Sequence, residues 1–353
     1  MRAMVIDAPG PPEVLQAREL ALPVPAAGQV RLRVAYVGMN PVDALVRRER
    51  LAWMPVAFPF TPGLEHTGAV EAIGPDVDRA WLGRRVLSRV SFGGYAEFSL
   101  APVRGLLQVP DGMSLRDGCV YRGCSFTAWH ALMKCARLQR GERVLVHSAA
   151  GAVGLMAMQI AREAGAVVVG ACGGANKMAW VKGFGFDSVV NYLAPDWPET
   201  AMQRLGSSGF DVILDGNGGA NAQHNYELIA PLGRIIYLGA MSGADPAAVP
   251  VALLIGKSFS VGGMTLRQIE EPPGSVADLA IIDAVRSGRW RLPTSECVRL
   301  ADVADLHRRL EARAVCGRAV IEVGGESVAT VSSPPTSARA PTEYHDVHQQ
   351  SGR

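Results

Sequence analysis

The stretch RVLVHSAAGAVGLMAMQIAREAGAVVVGACGG (143–174) decides the fold of the second half of the chain. Its apolar and β-branched runs predict a buried strand at 143–149, a helix at 153–165 and a second strand at 167–173. The turn before the helix carries the dinucleotide pattern G-x-G-x-x-G, with alanine at the first glycine position. In that pattern the second glycine lets the backbone approach a pyrophosphate at the helix N-terminus, and the third lets helix and strand pack closely. The predicted pyrophosphate contacts are Ala150, Gly151, Ala152, Val153 and Gly154; the alternative is a glycine-rich turn without a ligand.

The residues after the second strand predict which dinucleotide binds. An NAD site has an acidic residue there, which accepts hydrogen bonds from the ribose hydroxyls. This chain has Gly173 and Gly174 after Cys172, and no carboxylate before Asp187. The small residues leave room for a 2′-phosphate, and Lys177 can supply a positive charge. NADPH is therefore the predicted cofactor, the alternative being that Lys177 is a solvated surface lysine.

The rest of the chain extends this pattern into two domains. Helix and strand patterns continue to alternate at 177–185, 211–216 and 234–240, which indicates βαβ units and a doubly wound parallel sheet. The first 120 residues contain short strand-like runs punctuated by Gly and Pro, and predict a barrel-like β-rich domain. The expected fold class is α/β, with a β-rich domain at 1–120 that is completed by 297–324, and a parallel-sheet domain at 121–296.

Composition excludes several functional classes. The chain has 353 residues, of which 48% are hydrophobic and 19% charged, with a formal net charge of +2. These values are typical of a soluble globular protein and give no reason to expect a nucleic-acid or membrane partner. No C-x-x-C pair occurs among the cysteines, so a reducing cytoplasm is the expected location. The Ser-, Thr- and Pro-rich segment 325–353 is expected to be a disordered tail, in which His345 and His348 are solvated.

Several motifs occur in an order that points to a family. They are VGMNPVDALVRR (37–48), PGLEHTGAV (62–70), GGYAEFSL (93–100), FTAWHAL (126–132), VHSAAGAVG (146–154), VVNY (189–192), DVILDGNGG (211–219) and GRIIYLGAMSG (233–243). With them the chain resembles the zinc-free quinone oxidoreductase branch of the medium-chain dehydrogenase/reductase superfamily, and also the enoyl reductase domains of polyketide and fatty-acid synthases. The resemblance implies a GroES-like β domain, a Rossmann domain, and a cleft between them for NADPH and a small-molecule substrate. It also implies a homodimer formed through sheet edges near 257–264.

The resemblance assigns further site residues. Asn40 and Thr127 would line the nicotinamide end of the cofactor, while Lys177 and Tyr192 would flank the 2′-phosphate. The other residues that would border the cofactor are Gly173, Gly174, Asn217, Asn221, Gly239, Ala240, Met241, Ser242, Gly262, Gly263 and Met264.

The stretch FTPGLEHTGAV (60–70) bears on whether the chain binds zinc. In the zinc-dependent branch of this superfamily a histidine stands where this chain has Leu64, and a cysteine where it has Met39. Neither leucine nor methionine holds Zn²⁺ in such a site. His66 lies two residues further on and lacks a partner at ligand spacing, so it is predicted to be packed or at the surface. No metal is expected.

Two places depart from the family pattern. Quinone oxidoreductases often have a tyrosine where this chain has Leu45, whereas the enoyl reductases commonly have an apolar residue there. The stretch CVYRGCSFTAWHAL (119–132) places Tyr121, Arg122 and Cys124 where relatives are mostly small and aliphatic. One interpretation is a substrate pocket in which Arg122 binds an oxyanion and Tyr121 is an acid. The other is that Arg122 forms a salt bridge at the domain junction.

The predicted function is that of a zinc-independent, NADPH-dependent reductase. Its expected acceptor is already electrophilic: a quinone, or the β-carbon of an α,β-unsaturated carbonyl such as an enone or enoyl thioester. The predicted catalytic residues are Asn40, Tyr121, Arg122 and Thr127, with the proton coming from Tyr121 or from water. Two alternatives stay open. One is a non-redox cyclisation or rearrangement on the same fold, and the other is an NADPH-binding structural or regulatory protein, which a resemblance to zeta-crystallin lens proteins permits.

Overall fold

The computed structural model describes residues 1–51, 54–89, 91–206, 209–239, 248–269 and 272–330, without the side chains of residues 220, 329 and 330. Two sheets dominate it, one largely antiparallel and one parallel. They are the predicted GroES-like and Rossmann sheets, so the α/β fold class is confirmed.

The antiparallel sheet is built mainly from the N-terminal part of the chain. The elements there are β1 (Arg2–Val5), β2 (Gln16–Glu19), β3 (Gln29–Gly38), α1 (Pro41–Arg47), β4 (Glu65–Ile73), β5 (Arg85–Ser88), β6 (Phe98–Pro102) and β7 (Leu106–Gln108). β1 pairs with β2 in a two-stranded ribbon and also bridges Ala96 through Ala3, whereas β3 pairs with both β4 and β6. In β3 the alternating residues Val30, Leu32 and Val34 are buried, as expected for a strand with one face on a core.

Helix α2 (Leu115–Trp129) connects this sheet to the parallel one, and a π-helical turn at 130–135 follows it. Ser114 caps α2 by accepting a hydrogen bond from the Asp117 N–H. Most of α2 is buried, because it packs against β3 and β4 on one side and against the parallel-sheet domain on the other. This helix therefore brings residues 119–129 to the junction of the two sheets.

The parallel sheet follows the predicted alternation of strands and helices. Its elements are β8 (Arg143–His147), α3 (Ala152–Glu163), β9 (Val167–Cys172), α4 (Ala175–Lys182), β10 (Val189–Asn191), α5 (Trp197–Leu205), β11 (Phe210–Asp215), α6 (Ala222–Leu228), β12 (Ile229–Tyr237), α7 (Val251–Lys257), β13 (Ser260–Gly263) and α8 (Val276–Arg286). The strand order is β10-β9-β8-β11-β12-β13. The order reverses direction at β8, and open α/β sheets bind ligands in the crevice at such a switch point.

The last described segment returns to the first sheet. β14 (Thr294–Arg299), α9 (Val303–Glu311) and β15 (Arg318–Glu322) follow α8, and β15 pairs antiparallel with β3, with Val320 opposite Gly38. Just before β15, the Gly317 N–H donates to the Ala150 carbonyl at 2.7 Å, which joins the returning segment to the turn after β8.

The predicted tail begins with structured residues. Glu326–Thr330 form a short 3-10 helix, and Val328 is buried against the first domain. Val328 supplies an apolar anchor that the polar composition of the segment as a whole obscured. The rest of the tail, with His345 and His348, lies outside the described residues. Across the described chain, no helix combines the length and apolar character needed to cross a membrane.

Candidate functional site

The turn between β8 and α3 has the geometry of a pyrophosphate site. Gly151 is the N-cap of α3, and no side chain caps the first N–H groups of the helix. A Cβ atom on Gly154 would lie 2.4 Å from the Ser148 carbonyl oxygen and 2.9 Å from the Ala149 Cα, so only glycine fits. Ala150 is buried beneath the turn, while Ala152 and Val153 are half-buried on the first turn of α3. The turn thus presents unbonded N–H groups at the positive end of a helix.

The end of β9 is the place where the sequence predicts the 2′-phosphate of the cofactor. Gly174 has φ +88° and its N–H donates to the Asn191 Oδ1 at 2.9 Å, which opens the chain before α4. A Cβ atom on Gly173 would lie 3.0 Å from the Tyr192 hydroxyl, so the phenol stands directly against this turn. Lys177 is half-buried in the first turn of α4, and its ammonium bonds to no acceptor in the described chain.

Arg313 is a residue that the sequence did not identify. It follows α9 with φ +57°, and its guanidinium lies close enough to Tyr192 to lower the pKa of that phenol. Burial raises the pKa of Tyr192, and Arg313 acts against that shift. Arg313 therefore adds a second positive charge at the place where Lys177 and Tyr192 were expected, although it lies more than a hundred residues further along the chain.

The remaining cofactor residues lie at the carboxyl ends of β11, β12 and β13. The buried Asp215 carboxylate accepts hydrogen bonds from the N–H groups of Asn217 and Gly218, and from the Asn225 amide. The Asn225 Oδ1 in turn accepts a hydrogen bond from the His147 Nε2 at 2.7 Å. Asp215, itself held by Asn225, thus fixes the backbone of the predicted Asn217. Neither Asp215 nor Asn225 was identified from the sequence.

The other members of this predicted set lie at or near the carboxyl ends of β11, β12 and β13. Asn221 is half-buried in a 3-10 turn before α6, Gly239 is exposed after β12, and Gly262 and Gly263 are exposed in β13. The Met264 N–H donates to the Tyr237 carbonyl at 3.0 Å, which extends the pairing of β12 and β13. Ala240, Met241 and Ser242 lie outside the described residues.

The two residues expected at the nicotinamide end are joined by one chain of hydrogen bonds. The Asn40 amide donates to the Glu65 Oε2 at 3.4 Å, and the Gly123 N–H donates to the Glu65 Oε1 at 2.9 Å. The Thr127 hydroxyl then donates to the Gly123 carbonyl at 2.7 Å. A Cβ atom on Gly123 would lie 2.4 Å from Glu65, so α2 can approach the carboxylate only with glycine there. Glu65 thereby fixes Asn40 relative to Thr127.

Glu65 is a buried carboxylate with two cationic partners. Its side chain is 1% exposed and forms ion pairs with Arg318, which is also buried, and with Arg89 at 3.1 Å. Burial alone would raise the pKa of the Glu65 carboxyl, but the charges of Arg318 and Arg89 outweigh burial and hold that pKa below its usual value. Arg318 follows Gly317, so the cluster adjoins the turn that carries Ala150.

Asp43 fixes the backbone on the other side of Asn40. Its buried carboxylate accepts hydrogen bonds from the N–H groups of Asn40, Gly63 and Leu64 at 3.0 to 3.1 Å. Burial raises the pKa of Asp43 to about 6, against the effect of these hydrogen bonds. The side chain holds the start of α1 next to the loop before β4.

Tyr121 and Arg122 are both buried in α2. The Arg122 guanidinium pairs with Asp278 at 3.0 Å and lies over the Phe126 ring at 3.9 Å from its centre. This is the salt bridge that the sequence left open as the alternative for Arg122. Burial raises the pKa of Tyr121 to about 12, with Arg122 acting in the opposite direction. Cys124 is also buried, and burial raises the pKa of its thiol to about 11.

The residues at the zinc-ligand positions have other partners. Met39 is buried, and its sulfur accepts a hydrogen bond from the Tyr95 hydroxyl at 3.0 Å. Both ring nitrogens of His66 are engaged, one with the Gly63 carbonyl at 3.2 Å and the other with the Ser99 hydroxyl at 2.8 Å. His66 is therefore a packed histidine. Among the described residues, no three His, Cys, Asp or Glu side chains are grouped as metal ligands would be.

Comparison with known proteins agrees with this geometry. A family model described as "Alcohol dehydrogenase GroES-like domain" matches residues 26–111, and one described as "Zinc-binding dehydrogenase" matches residues 152–280. Human quinone oxidoreductase is 33% identical over 268 residues, which cover 75% of this chain and 80% of the human protein. A component of the phenolphthiocerol/phthiocerol polyketide synthase of Mycobacterium tuberculosis is 30% identical over 336 residues, which cover 94% of this chain and 15% of that protein.

Two similar solved structures contain NADPH. The mycobacterial protein Rv1454c complexed with NADPH superimposes with a TM-score of 0.83 at 29% identity, covering 92% of this chain and 100% of that one. Escherichia coli quinone oxidoreductase complexed with NADPH has a TM-score of 0.84 with the same coverage, and at 24% identity it shows the shared fold. The glycine turns, the absence of a carboxylate after β9 and the basic side chains there fit NADPH.

Proposed function

Because the chain belongs to the quinone oxidoreductase branch of the medium-chain dehydrogenase/reductase superfamily and is an NADPH-dependent oxidoreductase, we propose that it is a zinc-independent reductase of activated acceptors. The acceptor is a quinone, or an α,β-unsaturated carbonyl that receives the hydride at its β-carbon. NADPH supplies that hydride when bound. The protein orients the two reactants, excludes water and holds the charge that develops on the acceptor.

The observation that carries this proposal is the hydrogen-bond chain from Asn40 through Glu65 and Gly123 to Thr127. These groups come from the antiparallel-sheet part of the chain and from the connecting helix α2, and the cluster adjoins the turn that holds Ala150. A half-buried amide and a half-buried hydroxyl are thus held in fixed positions, which supports the proposal that they line the nicotinamide end of the cofactor. Such preorganisation keeps reacting groups aligned without reordering them during the reaction.

Zinc independence is supported by the side chains at the ligand positions. Leu64 has no donor atom, Met39 is packed in the core with its sulfur bonded to Tyr95, and His66 is bonded at both nitrogens. A site without these ligands has no Lewis acid with which to polarise an alcohol. The proposed acceptors are electrophilic without one.

The proton is assigned to water in this proposal. Tyr121 is 2% exposed, and burial raises its pKa to about 12, so its hydroxyl is a poor acid at neutral pH. The Thr127 hydroxyl donates a hydrogen bond to the Gly123 carbonyl. Its role in this proposal is to fix the local geometry of α2, not to transfer a proton. Water that enters the cleft after hydride transfer can protonate the α-carbon of the acceptor.

The similarity to a polyketide synthase and the apolar side chain of Leu45 support enoyl thioesters as acceptors. The similarity to the mycobacterial polyketide synthase extends over 94% of this chain, including residues beyond those matched by human quinone oxidoreductase. Leu45 is half-buried in α1, at the position where an apolar residue was taken to favour the enoyl reductases. A long, partly apolar acceptor fits both observations.

The first experiment measures binding and turnover separately. Tryptophan fluorescence is titrated with NADPH and with NADH, and the loss of absorbance at 340 nm is then followed with quinones, enones and enoyl thioesters. We expect tighter binding of NADPH, and its oxidation by one acceptor class with equimolar reduced product. Tight NADPH binding without oxidation by any acceptor would instead support the binding protein, and product with an unchanged oxidation state would support the non-redox enzyme.

The assignment of the other sites belongs to the same proposal. Lys177, Tyr192 and Arg313 bind the 2′-phosphate, the turn from Ala150 to Gly154 binds the pyrophosphate, and the remaining cofactor contacts are those predicted from the sequence. We also propose the domain boundaries 1–120 with 297–324, and 121–296, in a cytoplasmic homodimer. Support for the dimer is that β13 ends the parallel sheet, and an open edge of that kind needs a partner or cover.

A further inference from the structure

The Glu65 carboxylate is touched by four groups, and these differ in exposure. Arg318 and the Gly123 N–H are buried with it, whereas Asn40 and Arg89 are half-exposed. The Arg89 side chain is 27% exposed, compared with 5% for Arg318 and 1% for Glu65. On the open side of the cluster, the Asn40 amide and the Arg89 guanidinium are therefore the two polar groups that a bound molecule can reach.

Arg89 has donors that the protein does not use. Its Nε lies 3.1 Å from the Glu65 Oε1, an ion pair that lacks the alignment of a hydrogen bond. Within the described part of the chain, no acceptor bonds to its two terminal nitrogens. A guanidinium carries four N–H donors on those nitrogens, arranged as a fixed fork that suits an oxygen acceptor.

The charge of Arg89 is also only partly balanced. Glu65 is shared with Arg318, which makes the shorter contact to the other carboxylate oxygen. The neighbouring carboxylate, Asp43, is occupied by three backbone N–H groups on the far side of Asn40. A partly desolvated cation with a shared counter-ion attracts negative charge more strongly than an exposed one does.

Arg122, which the sequence singled out, is placed differently. It is 6% exposed, pairs with Asp278 and lies over Phe126. Asp278 is not shared with another arginine in any described ion pair. The cationic role that was predicted for the cleft thus fits Arg89 better than Arg122.

We propose that Arg89 is a catalytic residue, whose guanidinium donates hydrogen bonds to the carbonyl oxygen of the acceptor beside the Asn40 amide. This rests on the proposed reductase function. The hydride that NADPH would supply leaves a nicotinamide C–H bond with both electrons and forms a C–H bond at the β-carbon of the acceptor. The C=C electrons shift to give an enolate, and the oxygen next to Arg89 takes the negative charge. Water then protonates the α-carbon, and the hydroxide that results takes a proton from solvent. No further oxidant or reductant is required.

The test compares R89Q and R89K with the matched variant R84Q, in which an exposed arginine of the same part of the chain is replaced. The acceptors are phenyl vinyl ketones with para substituents from methoxy to nitro, and NADPH affinity and melting temperature are measured alongside. Removal of one oxyanion donor lowers kcat by about 10²- to 10³-fold, so we expect that loss for R89Q. R89K should recover part of it, because a lysine keeps the charge, and R84Q should match the wild type.

The substituent series gives a readout that a structural role would not move. Without Arg89 the acceptor must stabilise its own developing charge, so kcat of R89Q should depend more steeply on electron withdrawal than kcat of the wild type. Equal slopes, or an R89Q rate within about twofold of R84Q, would overturn the assignment. A loss of rate fully explained by weaker NADPH binding would also overturn it and make Arg89 a structural partner of Glu65. If the wild type reduces no acceptor at all, it is the proposed function that fails, and the role of Arg89 fails with it.

Discussion

The turn after β8 and the cluster around Glu65 adjoin one another through Gly317 and Arg318 but are built in opposite ways. The turn uses seven consecutive residues, Ser148 to Gly154, and acts through backbone N–H groups and the absence of side chains. The cluster uses side chains from four separate segments, and its two oppositely charged buried members are 253 residues apart in sequence. One region is local and nearly neutral, whereas the other is long-range and charged.

The difference shows that two neighbouring parts of a site can be stabilised by different contributions, close packing in one and the pairing of buried charges in the other. The turn is stabilised by close packing that any added atom would disturb. The cluster depends on each buried charge keeping its partner, because an unpaired charge in a low-dielectric interior is strongly unfavourable. Substitutions in the two regions should therefore differ in size and in what they affect.

The largest expected effect is on stability in the variant E65Q. Glutamine removes the counter-ion of the buried Arg318, so we expect the free energy of unfolding to fall by about 3–5 kcal/mol. The matched variant D302N breaks the Arg299–Asp302 pair, in which the side chains are 80% and 47% exposed, and should lose at most about 1 kcal/mol. Urea denaturation measures both. Equal losses in the two variants would remove the distinction between the cluster and an ordinary surface pair.

The second expected effect is a dependence of the unfolding free energy on pH, which comes from the buried ring of His66. Burial lowers the pKa of His66 to about 4 from the usual 6.5, so the folded protein keeps this ring neutral while the unfolded chain takes up a proton. Stability is therefore fully present above pH 6.5 and is lost as pH falls towards 4, by about 3 kcal/mol for this residue.

The variant H66Q should flatten the dependence of the unfolding free energy on pH across that window. H224Q, at a half-exposed histidine, is the matched substitution for comparison. His307 contributes in the same direction, since burial lowers its pKa to about 3, so some slope should persist in H66Q. An unchanged slope in H66Q would mean that the ring is protonated within the folded protein.

In the turn, the expected effect is on cofactor affinity. The Cβ atom of G154A must displace the backbone of Ser148 and Ala149, and overpacking of this kind costs about 1–3 kcal/mol. We therefore expect NADPH to bind about 10- to 100-fold more weakly, measured by fluorescence titration. G256A is the control, because a Cβ atom there meets nothing within 4 Å. Wild-type affinity in G154A would show that the turn tolerates a side chain.

The smallest expected effect separates the two ends of the cofactor. K177A removes a half-buried ammonium group in the first turn of α4, and we expect NADPH affinity to fall about 5- to 10-fold, or about 1 kcal/mol. NADH affinity should be unchanged, because NADH has no 2′-phosphate. An equal fall for both nucleotides would assign Lys177 to the fold of α4 rather than to the phosphate.

The sequence predicted the fold and the local parts of the site because these rest on short-range patterns. The unit β8–α3–β9, Gly151 and Gly154, and the open turn at Gly173 and Gly174 all follow from residues close together in the chain. The prediction that the whole segment 325–353 is disordered was too broad, because Val328 packs on the first domain.

The long-range parts could not be predicted in the same way. The Arg89–Glu65–Arg318 cluster and the Arg313–Tyr192 contact depend on which side chains the returning segment brings into contact, and no spacing along the chain encodes that. Arg122 attracted attention because it is unusual within its motif, while Arg89 stands in an unremarkable stretch after β5. The structure separates them, because Arg122 is buried and paired with Asp278, whereas Arg89 is partly exposed and shares Glu65 with Arg318.

The pairing of β15 with β3 has a consequence for how the protein is made. Arg318 bonds to the Gly38 carbonyl across 280 residues of chain. A ribosome that adds roughly 5–20 residues per second therefore leaves β3 without this neighbour for about 15–60 s. The intervening parallel sheet is complete before then, so it can fold first and offer a surface on which the first domain closes. Nascent chains that end before residue 318 should therefore expose the edge of β3 to chaperones. The first domain should be completed only when β14 and β15 leave the ribosome and β15 pairs with β3.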